Sequence, residues 1–366
     1  MSTAAVQEDK RDPAHVLGAL LGVHAGDSLG ATLEFMSWEE IQRKFPSPLR
    51  DIIGGGHFGW KAGAATDDTD LTRAVLLAYY AEAKEKAGHK DHKHQHPKGE
   101  GVVEKAAWYF VDWFEGRDWP GRVKGAKPSD IGGATAQGIL TFKAYGDVKK
   151  SGAGEGRAGN GSLMRCIPTA LFQLDPDKMV DESMAISAVT HDDSSCVVGC
   201  VAYNAMVRSL VEGKTADEAW QAGMEALKGV GEREKRGGRG GGRIESAVGK
   251  VQRTMEGGRH RVKLNDFALN GPRSARNFRD ELPRGASGYV LESLKLGVAA
   301  MFDPRPLEDV LVDVVRIGRD TDTNGAIAGG LLGARDGAEA IPLRWREKLQ
   351  HGREFAELVE YLLSPS

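Results

Sequence analysis

The chain of 366 residues is poor in cysteine, in net charge and in long apolar runs, and each shortage removes a class of protein. Three cysteines, Cys166, Cys196 and Cys200, are too few for a disulfide framework, and no Cys-x-x-Cys or Cys/His spacing marks a zinc site. They fit a reducing interior, so an intracellular location, cytoplasmic or nuclear, is expected. Forty-nine basic and 52 acidic residues leave a formal charge of -3, which argues against a generally cationic nucleic-acid binder. Met1–Asp12 is polar and mixed in charge, and the apolar stretch Val16–Val23 has neither a basic lead nor a cleavage site. It reads as neither a signal peptide nor a membrane span. Strand-like alternation is scarce, so the expected fold is all-α, a single compact multi-helix domain over residues 1–366.

Glycine, in contrast, is abundant: 48 residues, about twice the usual share of roughly 7%. Gly18, Gly22, Gly26 and Gly30 recur every fourth residue of a helical pattern over Ala14–Leu33, making one smooth ridge. Each internal glycine costs a helix about 0.8 to 1 kcal/mol relative to alanine, so four need a compensating gain, and close approach of another backbone supplies one. Gly325, Gly329 and Gly333 repeat the spacing near the C-terminus, and two such ridges predict a closely packed helix pair. Further helices are expected from Thr66 to about Gly88, over Val103–Phe114, Ile131–Tyr145, Met184–Glu212 with a break near His191, and Ala216–Lys228. Gly152–Gly161 reads as a glycine-rich loop. The tract His89–His96 holds four of the ten histidines and reads as a solvated loop rather than a metal tract. Arg236–Arg243 is a Gly/Arg run without aromatics, more simply a flexible loop than an RNA-binding site. With the polar, irregular stretch Met255–Arg284 it reads as a flexible Gly/Arg-rich insertion over about 229–284.

The chemistry concentrates in two short motifs. Thr66-Asp67-Asp68-Thr69 opens one helix, and Asp320-Thr321-Asp322-Thr323 opens another before the apolar stretch Ala326–Ala334. Either motif alone is accounted for by capping, since Asp and Thr at a helix start satisfy orphan N–H groups. Taken together they offer more carboxylates and hydroxyls than capping needs. Four carboxylates without histidine or cysteine form the oxygen-rich set that hard divalent cations prefer, which points to Mg2+ or Mn2+ if the fold joins the two motifs.

With Gly26–Phe35, Thr66–Thr69, Asp130–Gly133, Ala158–Arg165, Thr190-His191 and Asp320–Thr323 in this order, the sequence resembles the ADP-ribosylglycohydrolases over almost its whole length. Within them it is most like the branch typified by the dinitrogenase-reductase-activating glycohydrolase. The resemblance implies an all-α domain holding two Mg2+ or Mn2+ ions through Thr66, Asp67, Asp68, Asp320, Asp322 and Thr323. It implies catalytic roles for Glu34 and Asp130. Substrate contacts are implied at Gly132, Gly133, Arg157, Ala158, Gly159, Asn160, Gly161, Ser162 and His191, with N–H groups of Gly156–Gly161 facing a pyrophosphate. The implied partners are ADP-ribose and ADP-ribosylated proteins, with no membrane or nucleic acid, and a monomer is expected. The implied reaction is release of ADP-ribose from arginine first, serine second; the alternative is a catalytically silent ADP-ribose binder or structural relative. Two departures stand out. Arg319 follows Gly318 where the family usually has a glycine pair, and it either pairs with a ligand carboxylate or contacts substrate. Arg157 stands where relatives often carry an acid, which favours an anionic substrate.

Overall fold

A computed structural model describes residues 9–88, 99–237 and 242–364; the His89–His96 tract and the middle of the Gly/Arg run lie outside them. Among the described residues there are seventeen α-helices, two 3-10 turns and no strand, only the isolated bridges Gly55–Trp60 and Gly159–Tyr289. The protein is all-α.

Its centre is the pair of helices Pro13–Gly30 and Thr321–Asp336, both buried along nearly their whole length. Asp12 starts the first by accepting the Ala14 N–H, and Pro13 supplies a preset φ at the first turn. The two glycine ridges face each other. A Cβ placed on Gly22 would lie 2.1 Å from the Gly329 carbonyl oxygen, on Gly26 2.0 Å from that of Gly325, and on Gly333 1.9 Å from that of Gly18. Gly30 meets the Thr321 carbonyl in the same way at 2.2 Å. Only glycine lets these backbones touch, and the contact accounts for the helix propensity lost. Around this pair pack Ser194–Val211, whose Tyr203 hydroxyl donates to the Ile327 carbonyl at 2.9 Å, and Val290–Phe302.

The segment read as an irregular insertion is mostly helix. Ala216–Arg236 runs two turns beyond the expected end, followed by Arg243–His260, Leu264–Ser274 and Phe278–Glu281. Ala247, Val248, Val251 and Met255 form a narrow apolar stripe that joins the core, as do Phe267 and Phe278. Among these positions stand Lys250, Gln252, Arg253 and Glu256, so polar residues dominate the local composition. Gly257 and Gly258 resemble a loop in sequence but seat this helix on a neighbour: a Cβ on Gly258 would stand 2.6 Å from the Lys295 carbonyl oxygen.

Candidate active site

Three chain segments meet at one end of the glycine-packed pair. The Asp67–Lys86 helix begins there, with Thr66 as N-cap accepting the Asp68 N–H and Asp67, Asp68 and Asp70 in its first turn. Carboxylates suit this end because the helix dipole is positive there. Asp27, on the first helix, holds that start in place: its Oδ2 accepts from the N–H groups of Thr66 (3.1 Å) and Thr69 (3.2 Å) and from the Thr69 hydroxyl. The Thr321–Asp336 helix brings Asp322 and Thr323 alongside. Thr323 Oγ1 donates to Asp68 Oδ2 at 3.2 Å across 255 residues of sequence, and Thr66 Oγ1 donates to the same oxygen at 3.3 Å. The two acidic motifs therefore form one cluster.

Glu34 enters on the turn that follows the first helix. Phe35 donates its N–H to the Arg319 carbonyl (2.8 Å) and Arg319 returns one to Met36 (2.7 Å), tying that turn to the second acidic motif. Gly56, from the glycine-rich loop Gly54–Gly63, presses against the Ala31 carbonyl from the other side. Carboxylate oxygens of Glu34, Asp130 and Asp322 lie within 4.8 Å of one another. Asn160 Nδ2 donates to Asp320 at 2.7 Å and to Ser293 at 2.9 Å, fixing the orientation of Asp320.

Crowding so many acids away from water makes the charged forms expensive. Burial, then repulsion from neighbouring carboxylates, pushes Asp67, Asp68 and Asp322 well above the usual range. Burial raises Asp320 as well, and raises Asp27 to about 7. Glu34 is pushed to about 9 by burial and by Asp130, while Asp130 is raised by burial to only about 6, with nearby His57 favouring its ionised form. Asp27 Oδ1, Glu34 Oε2, Asp68 Oδ1 and Asp322 Oδ1 are buried without a hydrogen-bond partner. Unpartnered oxygen atoms in a repulsive, oxygen-only cluster are the donor set a hard divalent cation fits.

The cluster forms one wall of a cavity of about 640 Å³. Of the residues singled out in the sequence, Glu34, Asp67, Asp130, Gly132, Gly133, Gly159, Asn160, Gly161, His191, Arg319, Asp320, Asp322 and Thr323 line it. Thr66 and Asp68 lie buried beside them. Ser162 is not on the cavity wall: its side chain is in the core, where it accepts from Ser187 at 2.9 Å. Arg157 and Ala158 line an adjoining recess of about 420 Å³ with Arg284 and Tyr289. The Gly156–Gly161 loop is also less open than expected. The N–H groups of Gly156, Arg157 and Asn160 donate to Asp193, Gly154 and Gly288, so those of Ala158, Gly159 and Gly161 remain outside these bonds. His191 accounts for two of the glycines: a Cβ on Gly161 would meet its ring at 2.9 Å, and one on Gly159 at 3.3 Å. Burial and the charge of Arg165 push His191 down to about 3, so it is neutral at pH 7. Asp27 and His57 carry no assignment from the sequence; Asp27 sits inside the quoted Gly26–Phe35 motif, whereas His57 lies in a stretch with no motif.

A family model described as ADP-ribosylglycohydrolase matches residues 7–366. The chain is 28% identical over 352 residues to the ADP-ribosyl-[dinitrogen reductase] glycohydrolase of Rhodospirillum rubrum, covering 95% of each. It is 25% identical to the ADP-ribosylarginine hydrolase Tri1 of Pseudomonas putida over 94% of this chain and 76% of that protein. Among solved structures, a chain of an ADP-ribosylglycohydrolase-related protein complex superposes with a TM-score of 0.67 at 23% identity, over 96% of this chain and 97% of that one, a likeness of fold. With a family match spanning all but the first six residues, this chain belongs to the ADP-ribosylglycohydrolase family.

Proposed function

We propose that the protein hydrolyses the N-glycosidic bond of ADP-ribosyl-arginine on protein side chains, with the O-glycosidic serine linkage its second substrate. The observation that carries this reading is the joining of two distant acidic motifs, through Thr323 and Asp68, on the wall of a cavity large enough for a nucleotide-sized ligand. Its relatives named as a dinitrogen reductase glycohydrolase and as ADP-ribosylarginine hydrolases favour arginine as the acceptor.

Thr66, Asp67, Asp68, Asp320, Asp322 and Thr323 would hold two Mg2+ or Mn2+ ions. Bound there, such ions supply Lewis-acid polarisation and a template for the ribose diol. The chain's own residues do the rest. Gly132, Gly133, Gly159 and Gly161 leave room for substrate to lie against the backbone, and neutral His191 offers a ring nitrogen without adding charge. Glu34, within reach of Asp322 and Asp130, gives a proton to the departing nitrogen. Asp130 takes a proton from the water whose oxygen bonds to the anomeric carbon as the carbon–nitrogen bond breaks. The remaining carboxylates face the positive charge that builds on the sugar.

Peptides carrying ADP-ribosyl-arginine or ADP-ribosyl-serine, incubated with the protein and Mg2+ or Mn2+, test this by mass spectrometry. Free ADP-ribose should appear, faster from arginine. Release from serine alone would move the acceptor assignment, and release from neither would leave a silent ADP-ribose binder.

A further inference from the structure

A second cavity, of about 360 Å³, adjoins the catalytic one. Arg319 lines both, and Arg279 and Arg284 line this one too, beside Trp38, Phe278 and Pro283; Arg279 donates its Nε–H to the Pro272 carbonyl at 3.4 Å, and Arg284 also faces the recess that holds Arg157 and Tyr289. None of the three forms an ion pair among the described residues. The acid on that wall, Glu39, is already engaged by Arg273 at 3.0 Å. Glu292, which feels the charge of Arg284, spends its oxygens on the N–H groups of Arg284 (2.6 Å) and Ala286 (3.0 Å). Glu40 feels the charge of Arg319 but is taken up by the Ser37 cap. The Arg284 guanidinium lies 3.9 Å over the Tyr289 ring, an arrangement that fixes the plane and leaves the N–H edges available.

Left-handed backbone at non-glycine residues is concentrated near this cavity. Five non-glycine residues among those described have positive φ: Arg319 lines this wall, Asn277 and Ala286 adjoin the lining residues Phe278 and Gly285, Phe35 lines the catalytic cavity, and Asp118 lies elsewhere. Asn277 and Ala286 bracket the stretch that carries Arg279 and Arg284. Arg319 is the clearest case, with φ 70°, a conformation that favours glycine, at the position where the family resemblance leads one to expect glycine. The chain keeps the glycine backbone and carries an arginine on it. Strain of this kind persists where the surrounding structure enforces it, and such places cluster at ligand sites.

We propose that Arg279, Arg284 and Arg319 form an oxyanion-binding annex to the catalytic cavity, taking a phosphate or carboxylate group carried by the substrate. Guanidinium forks bind both groups through paired, charge-assisted hydrogen bonds. Two sources share this chemistry: the diphosphate of the ADP-ribosyl group, and an acidic side chain next to the modified residue on the acceptor. The annex rests on the hydrolase reading for its place beside the scissile bond, and not for its ligand chemistry.

Calorimetric titration of the full chain with inorganic pyrophosphate, ADP-ribose, and an unmodified peptide rich in Asp and Glu tests it, comparing wild type with Arg279→Gln/Arg284→Gln and with Arg319→Gly. Arg319→Gly relieves the positive φ, so it should melt no lower than wild type and keeps the test sound if the double variant folds poorly. Pyrophosphate should bind wild type and lose roughly tenfold or more in affinity in each variant. A matching loss for ADP-ribose identifies the diphosphate as the source; a loss for the acidic peptide with ADP-ribose unchanged identifies the acceptor. Equal affinity of wild type and variants for all three probes overturns the annex. Pyrophosphate binding that depends on these arginines in a protein releasing no ADP-ribose would keep the annex and sink the hydrolase reading, and turnover with arginine-independent binding would do the reverse.

Discussion

Replacing Gly22 by alanine perturbs the contact on which the site depends. The new Cβ would sit 2.1 Å from the Gly329 carbonyl oxygen and 2.8 Å from its carbon, where ordinary contact begins at 3.4 Å. Relief requires a separation of about 1.3 Å between two backbones, with no side chain able to rotate away. Overpacking in a core costs about 1 to 3 kcal/mol, and an immovable partner puts this case near the top of that range. Alanine returns about 0.8 to 1 kcal/mol of helix propensity, so a net destabilisation of about 2 kcal/mol is expected. The same displacement moves Asp322 and Thr323 relative to Asp68, breaking the 3.2 Å bond that joins the motifs, and a misplacement near 1 Å can cost about a hundredfold in rate. Denaturant unfolding and a cation titration measure both effects. Gly229→Ala is the control: it is helical with nothing within 4 Å of a Cβ, so it should gain up to about 1 kcal/mol. If Gly22→Ala matched wild type in midpoint and in Mn2+ affinity, the close-packed ridge would not be what holds the motifs together.

Asp322→Asn should raise the thermal midpoint of the cation-free protein while abolishing turnover, because it removes one buried, unpartnered carboxylate from a repulsive cluster; a lower midpoint would refute the repulsion. The raised carboxyls contribute stability that is present below their unfolded values near 4 and is lost as pH rises through the folded values, about 6 for Asp130, 7 for Asp27 and 9 for Glu34. Saturating Mn2+ should therefore raise the midpoint more at pH 8 than at pH 5, as protons compete for the same oxygens; a pH-independent shift would place the ions elsewhere. Glu354→Ala should cost about 3 kcal/mol in urea unfolding, since it removes the bidentate partner (2.6 Å twice) from Arg73, whose side chain is 3% exposed; a loss under 1 kcal/mol would show that stacking on Trp119 suffices to hold that guanidinium.

Much of the site was legible because its signals are local. An every-fourth glycine ridge has one economical meaning, and each acidic motif announces a helix start as well as a set of oxygen donors. That the motifs meet was not readable from either one. It follows from Gly18–Gly333, Gly22–Gly329 and Gly26–Gly325 contacts that fix the register of two helices far apart in sequence. The helices between Arg243 and Glu281 are not legible in the sequence, because sparse apolar positions and a glycine pair look like loop when composition is averaged. In the Gly156–Gly161 loop some N–H groups are taken up within the fold, as Gly156 is by Asp193, which a glycine-rich stretch of sequence does not reveal. Ser162 sits within a motif yet is buried, as are Leu163, Met164 and Arg165 of the turn it leads into.

The central claim is that the two acidic motifs share cations. Crystals grown with Mn2+ and measured at its absorption edge would locate those ions by anomalous scattering. Two peaks among Thr66, Asp67, Asp68, Asp320, Asp322 and Thr323 are the expected result; a cluster without a peak, or peaks only elsewhere on the protein, would contradict it.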